Sequence, residues 1–316
     1  MVRRTSWRVG AAALVVVLVA VLALTIGSGA GARTGPTAAK AKAAPTIILG
    51  TKDFTEEFVL GQLYKQALEA KGFKVTYKEN IGGTEIIQTA LRSGKINMYP
   101  EYVGEIVQTT YHYNKPPPKT AHGWWALAKS QLAPDGYSLL NATPFFDVDA
   151  IAVRKADALK YGLKSVPDLA KIQNKFTVTL GARPEFKNRE EGFLGMKRVY
   201  GLTKLKYVNI ATGLTYQALD QKKVFCINVF STDAQLASGK YTVLTDPKLI
   251  FGVQNVAPIV KTDLVKALGA KFVSTVNAVS AKLTLPAILA MNKATQLNKQ
   301  NPATVAGAFL KANGLK

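Results

Sequence analysis

The chain has a single cysteine, Cys226, among 316 residues, so no intramolecular disulfide can form and the fold must rest on core packing. Cys226 sits in the apolar run VFCINVF, which reads as a buried small hydrophobe and not as a nucleophile. Histidine is nearly absent as well. His112 and His122 are the two present, and neither lies in a recognisable partner motif, which removes most routes to nucleophilic catalysis. No metal-ligand cluster or phosphate loop can be read, so no cofactor is expected. Acidic residues are scarce, with 20 Asp and Glu against 41 Lys and Arg and a formal charge of +21. The basic residues are scattered through the chain and not gathered into one arm or helix, which argues against nucleic acid as a partner. A solvated basic surface suited to anionic headgroups or cell-wall polymers fits better.

What is present begins with a leader. Arg3, Arg4 and Arg8 precede an uncharged run from Val9 to Ala32 whose centre, AAALVVVLVAVLAL, is strongly apolar, and small residues follow at Ala30-Gly31-Ala32. This is a signal-peptide pattern over residues 1–32. The apolar run exceeds the roughly 7 to 15 residues usual for such a core, so an uncleaved anchor stands beside cleaved secretion. The Arg3-Arg4 pair raises the twin-arginine route. Residues 33–45, rich in Ala, Lys and Pro around TAAKAKAAP, read as a flexible tether.

The mature part opens with GTKDFTEEF, ENIGGTEIIQTALRSG and KINMYPEYVGE. Phe58, Val59, Leu63, Ala67 and Leu68 recur at helical spacing from a Thr55 start, Gly72 stops the helix, and a strand pattern follows at Phe73 to Tyr77. A second helix opens at Thr84 between Gly83 and Gly94 and leads into the alternating Ile96 and Met98 strand that ends at YPEY. The three loops therefore sit at strand ends, where open α/β sheets bind ligands. A weak internal echo extends the picture. TALRSGKINMYPEY is answered by QALDQKKVFCINVFSTD, each running helix, tight turn, apolar strand and polar or aromatic loop.

These loops resemble those of the extracytoplasmic solute-binding proteins of ABC importers for glycine betaine, choline and related osmoprotectants. TKDFTEE, GGTEI followed by ALRSG, YPEY, FKNREEGF, YQAL, and FSTD followed by QNVAP carry the resemblance, in order, over nearly the whole chain after the leader. It implies an α/β fold of two lobes, the type II periplasmic-binding-protein fold. Each lobe would be a central sheet flanked by helices, with the ligand cleft between them. Residues 46–148 and 256–316 would form the first lobe and residues 149–255 the second. The crossings would fall near Phe145 to Val153 and Asn255 to Val260, and the helical tail would return to the first lobe. Relatives anchored by lipid carry a cysteine just after the leader, and Cys226 is not there, so lipoprotein anchoring is not expected.

In the resembling family a trimethylammonium group sits in a cage of aromatic rings, while a lysine and an arginine grip the carboxylate of betaine. The resemblance places the lysine on Lys52, the first cage tyrosine on Tyr102 and the arginine on Arg189. Further on the pattern departs. Asp149, Phe230 and Gln254 stand where cage tyrosines are expected, and Glu105 replaces a threonine. A carboxylate at Asp149 or Glu105 can pair with a cation, and Gln254 with Asn255 can exchange hydrogen bonds, so the site reads as more polar than a betaine box. Thr84 either caps its helix or meets the ligand, and the same two readings apply to Thr232 and Asp233. Phe54, Tyr99, Trp124 and Trp125 read as packing residues. The implied function is capture of a small zwitterionic or quaternary-ammonium solute by a monomer that docks on membrane permease subunits and performs no chemistry. An amino-acid-like or guanidinium-bearing zwitterion, or a basic wall-binding protein, are the alternatives.

Overall fold

Two five-stranded sheets organise residues 44–316, the part of the chain that this computed structural model describes. The leader and nearly all of the tether lie outside the described residues. The first sheet is built from β1 (Ile47–Gly50), β2 (Val75–Lys78), β3 (Met98–Tyr102), β4 (Tyr137–Leu139) and β10 (Val256–Lys261), in the order β2-β1-β3-β10-β4. The second contains β5 (Asp149–Arg154), β6 (Thr179–Ala182), β7 (Lys206–Asn209), β8 (Cys226–Phe230) and β9 (Tyr241–Leu244), in the order β7-β6-β8-β5-β9. In each, four strands share one direction and the fourth in the order, β10 or β5, is antiparallel to both its neighbours.

Both faces of each sheet are covered, and the two-residue period of the strands divides them between cores. Ile47, Leu49, Met98, Val256 and Val260 face a core shared with α1 (Thr55–Ala70), α7 (Thr262–Lys282), α8 (Leu285–Asn292) and α9 (Pro302–Ala312). Tyr99, Ala257 and Ile259 face the opposite core with α2 (Thr84–Arg92) and α3 (Ala121–Leu132), which includes the buried Trp124. The second sheet repeats the scheme, with Ile151, Val153, Leu180 and Cys226 on one side and Ala152, Ile227 and Val229 on the other. Cys226 is fully buried, which pushes its thiol up to about 12.

The helical tail packs against α1 through α7, α8 and α9. Gly269 adopts φ 71 and ψ −164 inside α7, a left-handed backbone that breaks the continuous period seen in the sequence. The first strand-like run also begins later than its composition suggests. Phe73 leaves the sheet to pack edge-on against Phe272, and pairing with β1 starts at Val75. Among the described residues no single helix is long and apolar enough to cross a membrane.

Two segments run side by side between the sheets. Phe146 bridges Asn255, the Asp147 amide donates to the Gln254 carbonyl at 3.1 Å, and the Asn255 amide donates to the carbonyls of Thr143 and Phe145, each at 3.0 Å. These bonds satisfy backbone groups where the chain leaves one sheet for the other.

Candidate functional site

The loops after β1, β2, β3, β6 and β7, with the end of β8, converge on a small chamber between the sheets, of about 30 Å³, and Thr84 and Arg189 line both it and a wider cleft of about 1370 Å³. From the first sheet's side come Lys52, Phe54, Thr84, Tyr102 and Glu105. Asp149, Arg183, Arg189 and Phe230 come from the second, and Gln254 stands at the crossing. The groups that line it pair with one another, so the two lobes meet here through their own side chains.

Local structure explains the placement. Gly82, with φ +139, turns the chain into α2, and Thr84 opens that helix with its hydroxyl turned inward. The Lys52 ammonium donates to that hydroxyl at 3.1 Å, pairs with Glu101, and lies 4.7 Å from the centre of the Tyr102 ring. The Thr84 hydroxyl passes its own proton toward Glu105 at 2.7 Å. Glu105 begins a π-helical turn, Glu105–Thr110, and its amide donates to the Gln254 side chain at 3.2 Å. Gly104 lets Gln254 come this close, since a Cβ there would stand 2.7 Å from the carboxamide.

From the opposite lobe Arg189 donates to Glu105 at 3.0 Å and forks onto Glu85, at the start of α2, at 3.1 and 3.2 Å. A continuous chain of charge and hydrogen bonds thus runs Glu101, Lys52, Thr84, Glu105, Arg189, Glu85, crossing the cleft at the Glu105 to Arg189 link. Burial alone would raise the Glu105 carboxyl, but Arg189, Lys52 and Arg183 override it and hold it down at about 2. The Lys52 ammonium is likewise kept charged. Burial opposes it, and the carboxylates of Glu101, Glu105 and Glu57 outweigh that cost.

Arg183 is a chamber side chain that the sequence reading did not name. Its guanidinium forks onto both Asp149 oxygens at 2.6 and 2.8 Å, reaches Asn228 at 2.6 Å and Glu185 at 3.0 Å, and lies 5.0 Å from the Phe230 ring centre. It follows β6 in GARPEF, which matches no motif. The available signal was its position just past the end of a strand, the same rule that located the first lobe's loops. Asp149 does line the chamber, but both its oxygens serve Arg183 and Asn228. Phe54 packs against the first lobe's core, as expected, and reaches the chamber as well. It lines the chamber and stacks on Phe230 at 4.8 Å across the cleft, with Tyr102 at 6.0 Å. Tyr99 is fully buried and holds Gln88 and Glu101.

Three expected contacts do not reach the chamber. Thr232 is buried beneath it, donating to Glu56 at 2.6 Å, where Asn292 and the Tyr102 hydroxyl also bind. Asp233 accepts from the Tyr216 hydroxyl at 2.9 Å and the Phe230 amide at 3.0 Å, and it borders a cavity of about 360 Å³ that shares Phe54, Arg183 and Phe230 with the chamber. Asn255 is taken up by the crossing described above. Polar residues after a strand end can serve the ligand or the backbone, and here the backbone and Glu56 claim all three.

Glu56, Asp147 and Asp233 form a buried acidic group under the chamber. Burial is the first cause of the upward shift in each, reinforced between neighbours, and it takes Asp233 to about 6 and Asp147 well above its usual range. A carboxyl raised in the fold binds more protons there than in the unfolded chain, so its contribution is unfavourable above the folded value and improves as pH falls through it. Glu105 has the opposite sign, and its contribution is lost as pH falls from its model-compound value of 4.5 toward 2. The thermal midpoint is therefore expected to rise from about pH 7.5 to about pH 5 and to fall below about pH 4. Scanning calorimetry across that range checks it, and a midpoint falling steadily from neutral pH would contradict it.

Two α/β lobes that close over a charged and aromatic chamber, joined by paired crossing segments, define a type II solute-binding protein of the periplasmic-binding class. Residues 45–312 match the family described as the substrate binding domain of the ABC-type glycine betaine transport system, and the chain belongs to that family. Its members are extracytoplasmic substrate-binding proteins of ABC importers, a transport role and not an enzymatic one. A glycine-betaine-binding protein of Pseudomonas aeruginosa is 29% identical over 290 residues, 89% of this chain and 92% of that protein. Among solved structures, the apo form of YehZ from Escherichia coli is 25% identical, with a TM-score of 0.62 over 86% of this chain and 100% of that one. A glycine betaine/carnitine/choline ABC transporter structure, 24% identical with a TM-score of 0.67 over 85% of this chain and 99% of the other, shares the fold.

Proposed function

We propose that the protein captures a small quaternary-ammonium or zwitterionic compatible solute, of the glycine betaine and choline type, between its two lobes and hands it to the permease of an ABC importer. The observation that carries this reading is the Glu105 to Arg189 link, because it joins the lobes at the chamber itself. Glu105 and Arg189 meet across the chamber from opposite lobes, so capture requires the lobes to part at the paired crossing segments and to reclose. Phe54, Tyr102 and Phe230 supply ring faces for a cationic head, each worth roughly 0.5 to 2 kcal/mol. The protein acts as a monomer outside the membrane, either free after removal of its leader or held by it.

Calorimetry on the purified protein with glycine betaine, choline, proline betaine, arginine and ergothioneine tests the reading. Saturable heat from a member of the panel is the expected result, and silence from all five overturns it.

A further inference from the structure

The cations that face the chamber are already provided with carboxylates of the protein's own. Arg189 gives an Nη1 proton to Glu105 and turns Nη2 and Nε toward Glu85. Arg183 is forked onto Asp149 and paired with Glu185, and Lys52 is paired with Glu101. Glu105, Asp149 and Glu185 among these line the chamber, and Glu105 is the one held from both lobes, between the Thr84 hydroxyl on one and Arg189 on the other. It is 5% exposed and takes the position that a solute carboxylate would need in order to meet Lys52 and Arg189 together.

The wall as a whole has the same sense. Asp53, Glu105, Asp149 and Glu185 face Lys52, Arg183 and Arg189, an excess of acid in a chain whose overall charge is +21. An incoming carboxylate would meet Glu105 at short range in a site screened from water. An organic cation would meet carboxylates and the rings of Tyr102, Phe54 and Phe230.

We propose that Glu105 is a built-in carboxylate occupying the anion position of the cleft, so that the site selects a permanent organic cation lacking a carboxylate over a zwitterion bearing the same cationic head. The inference rests on the transport reading above and narrows its substrate class. Choline and glycine betaine are the matched probes, since both carry a trimethylammonium group and they differ in whether a hydroxymethyl or a carboxylate follows it.

The test is titration calorimetry of the wild-type protein and of Glu105→Gln with each probe. Like charges brought together in a desolvated interface cost several kcal/mol, so wild-type protein is expected to bind choline at least about tenfold more tightly than glycine betaine. Glu105→Gln keeps the shape and an acceptor for Thr84 while removing the charge, and it should lower that ratio by about tenfold or more, glycine betaine gaining in absolute affinity. Equal or tighter binding of glycine betaine by the wild type overturns the proposal and leaves the transport reading standing. A ratio unchanged in a folded Glu105→Gln protein overturns it too. If neither probe binds the wild type while arginine or ergothioneine does, the selection proposed here fails and solute capture survives, whereas silence from all of them removes both.

Discussion

Replacing Arg183 with alanine is expected to destabilise the protein by about 3 to 5 kcal/mol, because one partner of a buried ion pair is removed and the other is left behind. Asp149 is 6% exposed and would keep only the Asn228 carboxamide, at 2.9 Å, in place of a bidentate guanidinium. The loss reaches further than one pair. Arg183 also ties β6 to Asn228 in β8 and lies against the Phe186 and Phe230 rings, so the second lobe's side of the chamber loses its common support. Urea unfolding followed by circular dichroism measures the effect. The double variant Arg183→Leu with Asp149→Leu should recover much of the stability without recovering solute binding, since a well-packed apolar pair can replace a buried ion pair at little cost. A loss below about 1 kcal/mol in Arg183→Ala would mean that the pair is solvated and that the closed geometry overstates its burial.

Arg189→Ala should weaken solute capture by about 2 to 5 kcal/mol, roughly thirtyfold or more, because it removes the link that joins the lobes through Glu105. The comparison that gives this number meaning is Glu85→Gln. Glu85 also pairs with Arg189, but its side chain is 51% exposed, so its removal should cost under about 1 kcal/mol. Calorimetry gives the affinities, and small-angle scattering gives the closure, with Arg189→Ala expected to remain expanded under solute concentrations that compact the wild type. Affinity in Arg189→Ala equal to the wild type would remove Arg189 from the binding machinery.

The first half of the site was legible because its residues are local. Lys52, Thr84 and Tyr102 each lie at or beside the end of an element whose period and glycine stops can be read within a few residues. The second half is assembled from distant segments. Arg183 acquires its role from Asp149 and Asn228, 34 and 45 positions away, which meet it only because β5 and β6 flank β8. Phe54 was assigned to packing because a ring after a strand usually packs, and its partner Phe230 becomes visible only when the lobes face each other. Thr232, Asp233 and Asn255 fail in the other direction. Their residue types suit a ligand, but unpaired backbone and the buried Glu56 compete for the same hydrogen-bonding groups, and local sequence does not show which will win.

The solitary buried thiol of Cys226 has a practical side. A sulfhydryl with no exposed surface and little thiolate at neutral pH is nearly inert toward maleimides and iodoacetamides. A cysteine introduced on each lobe's rim would then be the only reactive sites in the chain, with no native residue to remove first. Paired dyes placed there would report opening and closing of the cleft one molecule at a time, with the wild-type interior untouched.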